Sequence, residues 1–162
     1  MTLKTAFIGL GAMGAPMAGH LHAKGLLHAV GNRTQAKADA LAAELGVTAP
    51  SLAEIAASCD VIVLCVSADA DVIGVVSALA PSLKPGATVI DHSTVAPATA
   101  KKAAGLLADV GAAFLDAPVS GGVEGAKNGK LSIMVGGDAS VLDHVRPVLE
   151  AYGARITPMG AV

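Results

Sequence analysis

Three clusters in the chain carry residue types that could bind or act on a small molecule. The first is Gly9-Leu10-Gly11-Ala12-Met13-Gly14, a G-x-G-x-x-G run placed where an apolar strand pattern hands over to a helical one. In that setting Gly9 permits the tight turn, Gly11 lets backbone approach a pyrophosphate with no Cβ in the way, and Gly14 lets the helix pack close to the strand. The new helix offers unpaired N–H groups and a partial positive charge to phosphates. Pro16 falls in its first turn, where a missing amide hydrogen costs least. The spacing alone is common in alanine-rich domains; its position between a strand and a helix is what points to a dinucleotide.

The second cluster, Gly31-Asn32-Arg33-Thr34 with Lys37, closes the second strand pattern. Folds of this kind sort their cofactors there, because a carboxylate at that point holds the ribose hydroxyls of NAD and repels the extra phosphate of NADP. Asn32 is neutral, Arg33 can make a forked charge-assisted contact, Thr34 can donate a hydroxyl, and Lys37 lies one helical turn further on. NADP is therefore the expected cofactor and NAD the lesser alternative. The plain reading is a solvated arginine beside a helix N-cap threonine.

The third cluster is spread over the carboxyl ends of later strands: Cys65-Val66-Ser67, Asp91-His92-Ser93-Thr94, and Asp116-Ala117-Pro118-Val119-Ser120-Gly121-Gly122. In open α/β sheets that edge is where ligands sit. Ser120 followed by two glycines combines a hydroxyl with open backbone N–H groups, which suits a carboxylate; a flexible loop explains the same residues. Ser120 does not read as a hydrolase nucleophile, since Pro118 stands where G-x-S-x-G needs glycine. His20, His22, His28 and His144 have no partner at a metal spacing and read as surface or packing residues, so no metal site is expected. His92 is better placed, near the end of a strand, with a direct role as the lesser reading. Cys65 reads as a small core residue.

The elements that must position these clusters alternate short apolar runs with longer helical patterns, as stacked βαβ units do. Strands are expected at Leu3 to Gly9, Leu27 to Gly31, Val61 to Val66, Ala87 to Asp91 and Ala112 to Asp116. Helices are expected at Met13 to Lys24, Gln35 to Leu45, Asp71 to Leu79 and Pro97 to Asp109, with Gly25, Gly46 and Gly111 as stops. Val72, Val75, Val76 and Leu79 share one helical face. Beyond Pro118 a glycine-rich segment leads to an apolar run at Leu131 to Val135, then to a helical pattern from Asp138 that Pro147 should kink or split. The fold class is α/β: a Rossmann-type, doubly wound, mostly parallel sheet, with residues 1–162 forming one dinucleotide-binding domain.

Composition agrees. The 162 residues are 53% hydrophobic but only 2% aromatic, so the core must be built from small aliphatic side chains. A net charge of -2 gives no electrostatic reason for a nucleic acid or an anionic membrane as partner. Two cysteines are too few for a disulfide framework and suit a reducing, cytoplasmic setting. The uncharged stretch after Lys4 superficially resembles a secretion signal, but Gly9, Gly11, Gly14 and Pro16 break the apolar helix that such a signal needs.

With these residues in view, the whole chain resembles the N-terminal domain of the β-hydroxyacid dehydrogenases, the family of 3-hydroxyisobutyrate dehydrogenase, tartronate semialdehyde reductase and glyoxylate/succinic semialdehyde reductase. The resemblance rests on Gly9 to Gly14 with Met17-Ala18, Asp91 with Ser93-Thr94, Asp116 to Gly122 with Gly125-Ala126, and Leu131 to Gly137. It implies that Ser120, Gly121 and Gly122 hold the carboxylate of a small substrate and that Cys65, Val66 and Thr94 line the nicotinamide end. Asn32-Arg33-Thr34 is similar to the NADPH-using members; His20 departs from a frequent asparagine. The resemblance further implies that the lysine serving as general acid and base lies on a helix beyond Val162. An all-helical domain forming much of a homo-oligomer should follow it, so that residues 1–162 contain no catalytic residue and should be inactive alone. Hydride transfer between nicotinamide and a small β-hydroxyacid, semialdehyde or keto acid is the implied reaction. Imine reduction is a weaker alternative, and a stand-alone NADP-binding or sensing module is one from a different class.

Overall fold

The computed structural model describes residues 2–162. In chain order its elements are β1 (Thr5–Ile8), α1 (Gly14–Ala23), β2 (Leu27–Gly31), α2 (Gln35–Leu45), α3 (Leu52–Ser58), β3 (Val61–Leu64), α4 (Asp69–Leu79), β4 (Thr88–Asp91), α5 (Pro97–Ala108), β5 (Ala113–Asp116), β6 (Val119–Ser120), α6 (Gly122–Asn128), β7 (Leu131–Val135), α7 (Ala139–Glu150) and β8 (Gly153–Pro158). The first five strands form one parallel sheet in the order β2-β1-β3-β4-β5.

The strands of this sheet read as continuous apolar runs because both faces are covered. Phe7, Val30, Val63, Ile90 and Leu115 point to one side, where they meet Met17 and Leu21 of α1 and Leu142, Val145 and Leu149 of α7. Ala6, Ile8, Ile62, Leu64 and Phe114 point to the other, against Ile55 of α3, Val72, Val76 and Leu79 of α4, and Ala103 and Leu107 of α5. The period-two alternation of the pleat thus sorts an unbroken apolar sequence into two cores.

A second sheet, β6-β7-β8, follows. β6 runs antiparallel to β7 and β8 parallel to it. The two sheets are joined at the end of β5, where Asp116 and Gly136 exchange N–H···O bonds of 3.0 and 2.7 Å.

The expected strands and helices are present, with ends differing by up to two residues, which is ordinary fraying. Three differences have physical causes. α3 escapes a reading by period because it spans only seven residues, yet Ser51 and Glu54 close a full capping box at its start: Ser51 Oγ accepts from the Glu54 amide at 3.2 Å and Glu54 Oε1 from the Ser51 amide at 3.3 Å. The glycine-rich segment after Ser120 is the helix α6 and not a turn. Pro147 neither splits nor ends its helix; α7 continues through it to Glu150. The carbonyl deprived of a donor by Pro147 belongs to exposed Asp143, where water can take the place of the lost amide.

Candidate functional site

The parallel ladder extends past the strand ends. The Gly9 amide donates to the Gly31 carbonyl and the Cys65 amide to the Ile8 carbonyl, both at 2.9 Å. The carboxyl ends of β1, β2 and β3 are thereby locked side by side. The turn out of β1 leaves little choice of residue: Gly9 has φ +103°, and a Cβ there would lie 2.1 Å from the Cys65 carbonyl oxygen. A Cβ on Gly14 would lie 1.8 Å from the Gly9 carbonyl oxygen, so α1 packs against the turn at backbone distance. Gly11 differs, because its Cβ would meet nothing within 4 Å. A side chain there would project into open space rather than into the protein. α1 begins with no side-chain cap; its Ala15 amide donates to the Gly11 carbonyl at 3.1 Å and Pro16 has no amide hydrogen, so the Gly14 amide is the one in its first turn without a backbone acceptor.

A cleft of about 510 Å³ opens at this edge. It is lined by Ile8, Gly9, Leu10 and Gly11 from the first turn; Asn32, Arg33, Thr34 and Lys37 from the second; Leu52 at the start of α3; Cys65, Val66 and Ser67 after β3; and Ala70, Asp71, Gly74 and Val75 of α4. The structure therefore brings Gly9 to Gly11, Asn32 to Thr34 with Lys37, and Cys65 and Val66 into one cavity. Ala12, Met13 and Gly14 sit at the entry to α1 outside its lining, as do Thr94, which is exposed, and Ser120 to Gly122.

The wall contributed by α4 was not legible in the sequence. Val72, Val76 and Leu79 do face the core, but Val75 is only half-buried and lines the cleft beside Ala70, Asp71 and Gly74. A glycine inside a helix, where it costs about 1 kcal/mol relative to alanine, was the available signal. A Cβ on Gly74 would enter open space.

Asn32 is spent on structure. Its Oδ1 accepts from the Leu10 amide at 2.9 Å and its Nδ2 donates to the Thr34 carbonyl at 3.2 Å, clasping the glycine turn to the end of β2. Thr34 is the N-cap residue of α2, but its hydroxyl makes no capping bond. The Arg33 guanidinium reaches across the cleft to Asp71, Nη1 to Oδ1 at 3.4 Å.

Deeper in, the Val66 amide donates to Ser93 Oγ at 2.9 Å and the Ser93 amide to Asp91 Oδ1 at 2.9 Å. Asp91 is fully buried and its Oδ2 has no partner among the described residues. Burial pushes its carboxyl up to about 6 and pushes the Cys65 thiol, with help from the Asp91 charge, up to about 11. Cys65 is thus an inert thiol at neutral pH. His92 is buried as well: its Nδ1–H donates to the Ala117 carbonyl at 2.6 Å, and its Nε2 accepts from the Tyr152 hydroxyl at 2.7 Å. Desolvation lowers it to about 4. Neutral and doubly bonded, it is a tie between the two sheets rather than a proton donor.

Ser120, Gly121 and Gly122 form an exposed shelf where β6 passes into α6, with φ of +132° at Gly121 and +61° at Gly122. The far end of α6 is held by His20 of α1, whose Nε2–H is shared between the Ala126 and Lys127 carbonyls at 2.9 Å each. No helix among the described residues is long and apolar enough to cross a membrane.

Comparison with known proteins places these features. Residues 4–160 match the family described as the NAD binding domain of 6-phosphogluconate dehydrogenase. Among curated proteins, the NAD-dependent L-serine dehydrogenase of Pseudomonas aeruginosa is 41% identical over 96% of this chain and 53% of its own length. The 2-hydroxy-3-oxopropionate reductase of Escherichia coli is 38% identical over 98% of the chain and 55% of its length. The chain thus spans about half the length of the curated relatives it matches. Among solved structures, 3-hydroxyisobutyrate dehydrogenase of Mycobacterium tuberculosis with L-serine superposes with a TM-score of 0.94 at 36% identity, covering all of this chain and 56% of that one. A reductive aminase from Aspergillus terreus in complex with NADPH and ethyl levulinate gives 0.84 at 27% identity, over 99% of this chain and 56% of that one. The chain belongs to the family of NAD-binding domains described for 6-phosphogluconate dehydrogenase, and it is a cofactor-binding domain of the hydroxyacid-dehydrogenase type.

Proposed function

We propose that the chain binds NADP(H) in preference to NAD(H) and serves an oxidoreductase acting on a small β-hydroxyacid, semialdehyde or keto acid. The observation that carries this reading is the rim of the cleft at the end of β2, where Asn32, Arg33, Thr34 and Lys37 stand together and no carboxylate occupies the Asn32 position. Arg33, Thr34 and Lys37 receive the 2′-phosphate, Gly9 to Gly14 the pyrophosphate, and Cys65, Val66 and Thr94 border the nicotinamide. When bound, the nicotinamide supplies or accepts the hydride. The hydroxyl of Ser120 and the N–H groups of Gly121 and Gly122 grip the substrate's carboxylate. The choice of NADP rests on these side chains and not on the relatives, one of which is named for NAD.

A second reading, reduction of an imine, is supported by the likeness to the reductive aminase; the Ser120-Gly121-Gly122 shelf favours a carboxylate-bearing substrate instead. Among the described residues, Lys37 lies at the β2 end of the cleft with the ribose-phosphate side chains, away from Cys65 and Val66, while His92 is buried and Lys127 and Lys130 lie on and just after α6. Residues 1–162 are therefore expected to bind cofactor without turnover, the proton donor being the lysine that the family resemblance puts on a later helix.

The test is NADPH oxidation with glyoxylate, succinic semialdehyde and a cyclic imine, by residues 1–162 and by a chimera joining them to the remaining half of the E. coli relative. Turnover of the carboxylate substrates by the chimera alone is expected, since general acid catalysis is worth about two to four decades in rate. Turnover by residues 1–162 alone would put the proton donor inside this chain. A preference for the imine would support the second reading, and an inert but cofactor-binding chimera would favour a binding module.

A further inference from the structure

We propose that Asp71 is a specificity-determining residue: it holds Arg33 across the cofactor cleft and limits how strongly the chain prefers NADPH to NADH. The inference rests on the reading that Arg33 receives the 2′-phosphate.

The two partners differ in freedom. Asp71 Oδ2 accepts from the Ala68 amide at 3.1 Å, fixing the carboxylate at the start of α4, and its side chain is 29% exposed. The Arg33 side chain is 86% exposed and bound only through Nη1 at 3.4 Å. Arg33 is the movable member and Asp71 the fixed one. Both line the same cavity, Arg33 on the β2 side and Asp71 on the α4 side, beside Gly74, whose missing side chain keeps that wall open.

A phosphate on the ribose must draw Arg33 away from Asp71, or share it, and then lies within the field of a carboxylate that cannot retreat. NADH meets neither cost. Exposed ion pairs are weak and screened by salt, so Asp71 moderates the preference rather than reversing it. Asn32, already occupied by Leu10 and Thr34, leaves Asp71 as the anionic group of the lining.

The experiment is a fluorescence titration of NADPH and NADH into the unmodified chain, Asp71→Asn, Arg33→Ala and the double variant. Asparagine keeps an oxygen for the Ala68 amide; circular dichroism checks the fold, and Asp71→Ser, which also retains a capping oxygen, provides a second variant. Asp71→Asn should tighten NADPH about threefold to fivefold and leave NADH within about twofold. The gain should shrink at high salt and in the Arg33→Ala background. Unchanged or weaker NADPH binding in both Asp71 variants overturns the inference. If Arg33→Ala costs NADPH affinity while the Asp71 variants gain none, this inference alone fails; if Arg33→Ala is neutral, the reading of Arg33 fails and this inference with it.

Discussion

Two glycine-rich turns sit at the carboxyl edge of this molecule, and they need glycine for different reasons. In the turn from β1 to α1, Gly9 and Gly14 are squeezed against backbone, where a Cβ would fall 2.1 and 1.8 Å from carbonyl oxygens. In the shelf from β6 to α6, a Cβ on Gly122 would meet nothing within 4 Å, and only its positive φ asks for glycine. The first turn is a packed wall completed by its own chain. The second is set by two positive φ values, and the nearest atom a Cβ would meet is the end of the Leu131 side chain, 3.2 Å from one on Gly121. Cofactor binding should therefore be a property of this chain by itself, and the grip on a substrate should be the more tolerant feature.

The sharpest way to break that contrast is to add side chains to the first turn. Gly14→Val should prevent folding, because its branches must displace the Gly9 carbonyl. Gly11→Val should leave a folded domain that binds neither NADPH nor NADH. Circular dichroism and a cofactor titration separate the two outcomes, and unchanged affinity in Gly11→Val would put the phosphate loop elsewhere.

The joint between the two regions should respond to pH. Asp91 is raised from 3.8 to about 6, so it favours folding fully below its ordinary value, and that contribution is lost as pH rises through 6. His92 is lowered from 6.5 to about 4, so its contribution is full above 6.5 and is lost as pH falls through 4. Between about pH 4 and 6 the two oppose each other, each on the order of 3 kcal/mol. Asp91→Asn removes only the first, so its stability should fall more steeply on acidification from pH 6.5 than that of the unmodified chain. Parallel melting profiles would contradict the assignment.

Within the cofactor cleft, Arg33→Ala should weaken NADPH by about one to two decades, equivalent to roughly 1.5 to 3 kcal/mol, with little change for NADH. The smallest effect belongs to the open shelf. Gly122→Ala should cost about 1 to 2 kcal/mol of stability through its left-handed backbone and leave NADPH affinity unchanged. A loss of cofactor affinity in that variant would join the two turns into one site.

The same contrast explains what could be read from the sequence. The five parallel strands are legible because burial on both faces makes them nearly continuous apolar runs, and the first glycine turn because close packing leaves little alternative to glycine. β8 shows no such run; most of its residues are exposed at a sheet edge. α6 carries Gly122 and Gly125 in seven residues, so composition suggests a turn, and it is tertiary contact, with His20 holding its last carbonyls, that braces it as a helix. Asn32 could be recognised as neutral, but not as the clasp on the Leu10 amide, since that bond joins residues 22 apart in sequence. Asp71 escaped notice because the valines around it advertise a core-facing helix, and nothing local says that a second face lines the cleft.

The most direct measurement is the affinity of the unmodified chain for NADPH and for NADH at the same modest ionic strength. If Arg33, Thr34 and Lys37 receive a phosphorylated ribose, NADPH should bind at least about tenfold more tightly, equivalent to roughly 1.4 kcal/mol, and the advantage should narrow as salt is added. Equal affinities, or tighter binding of NADH, would contradict that reading.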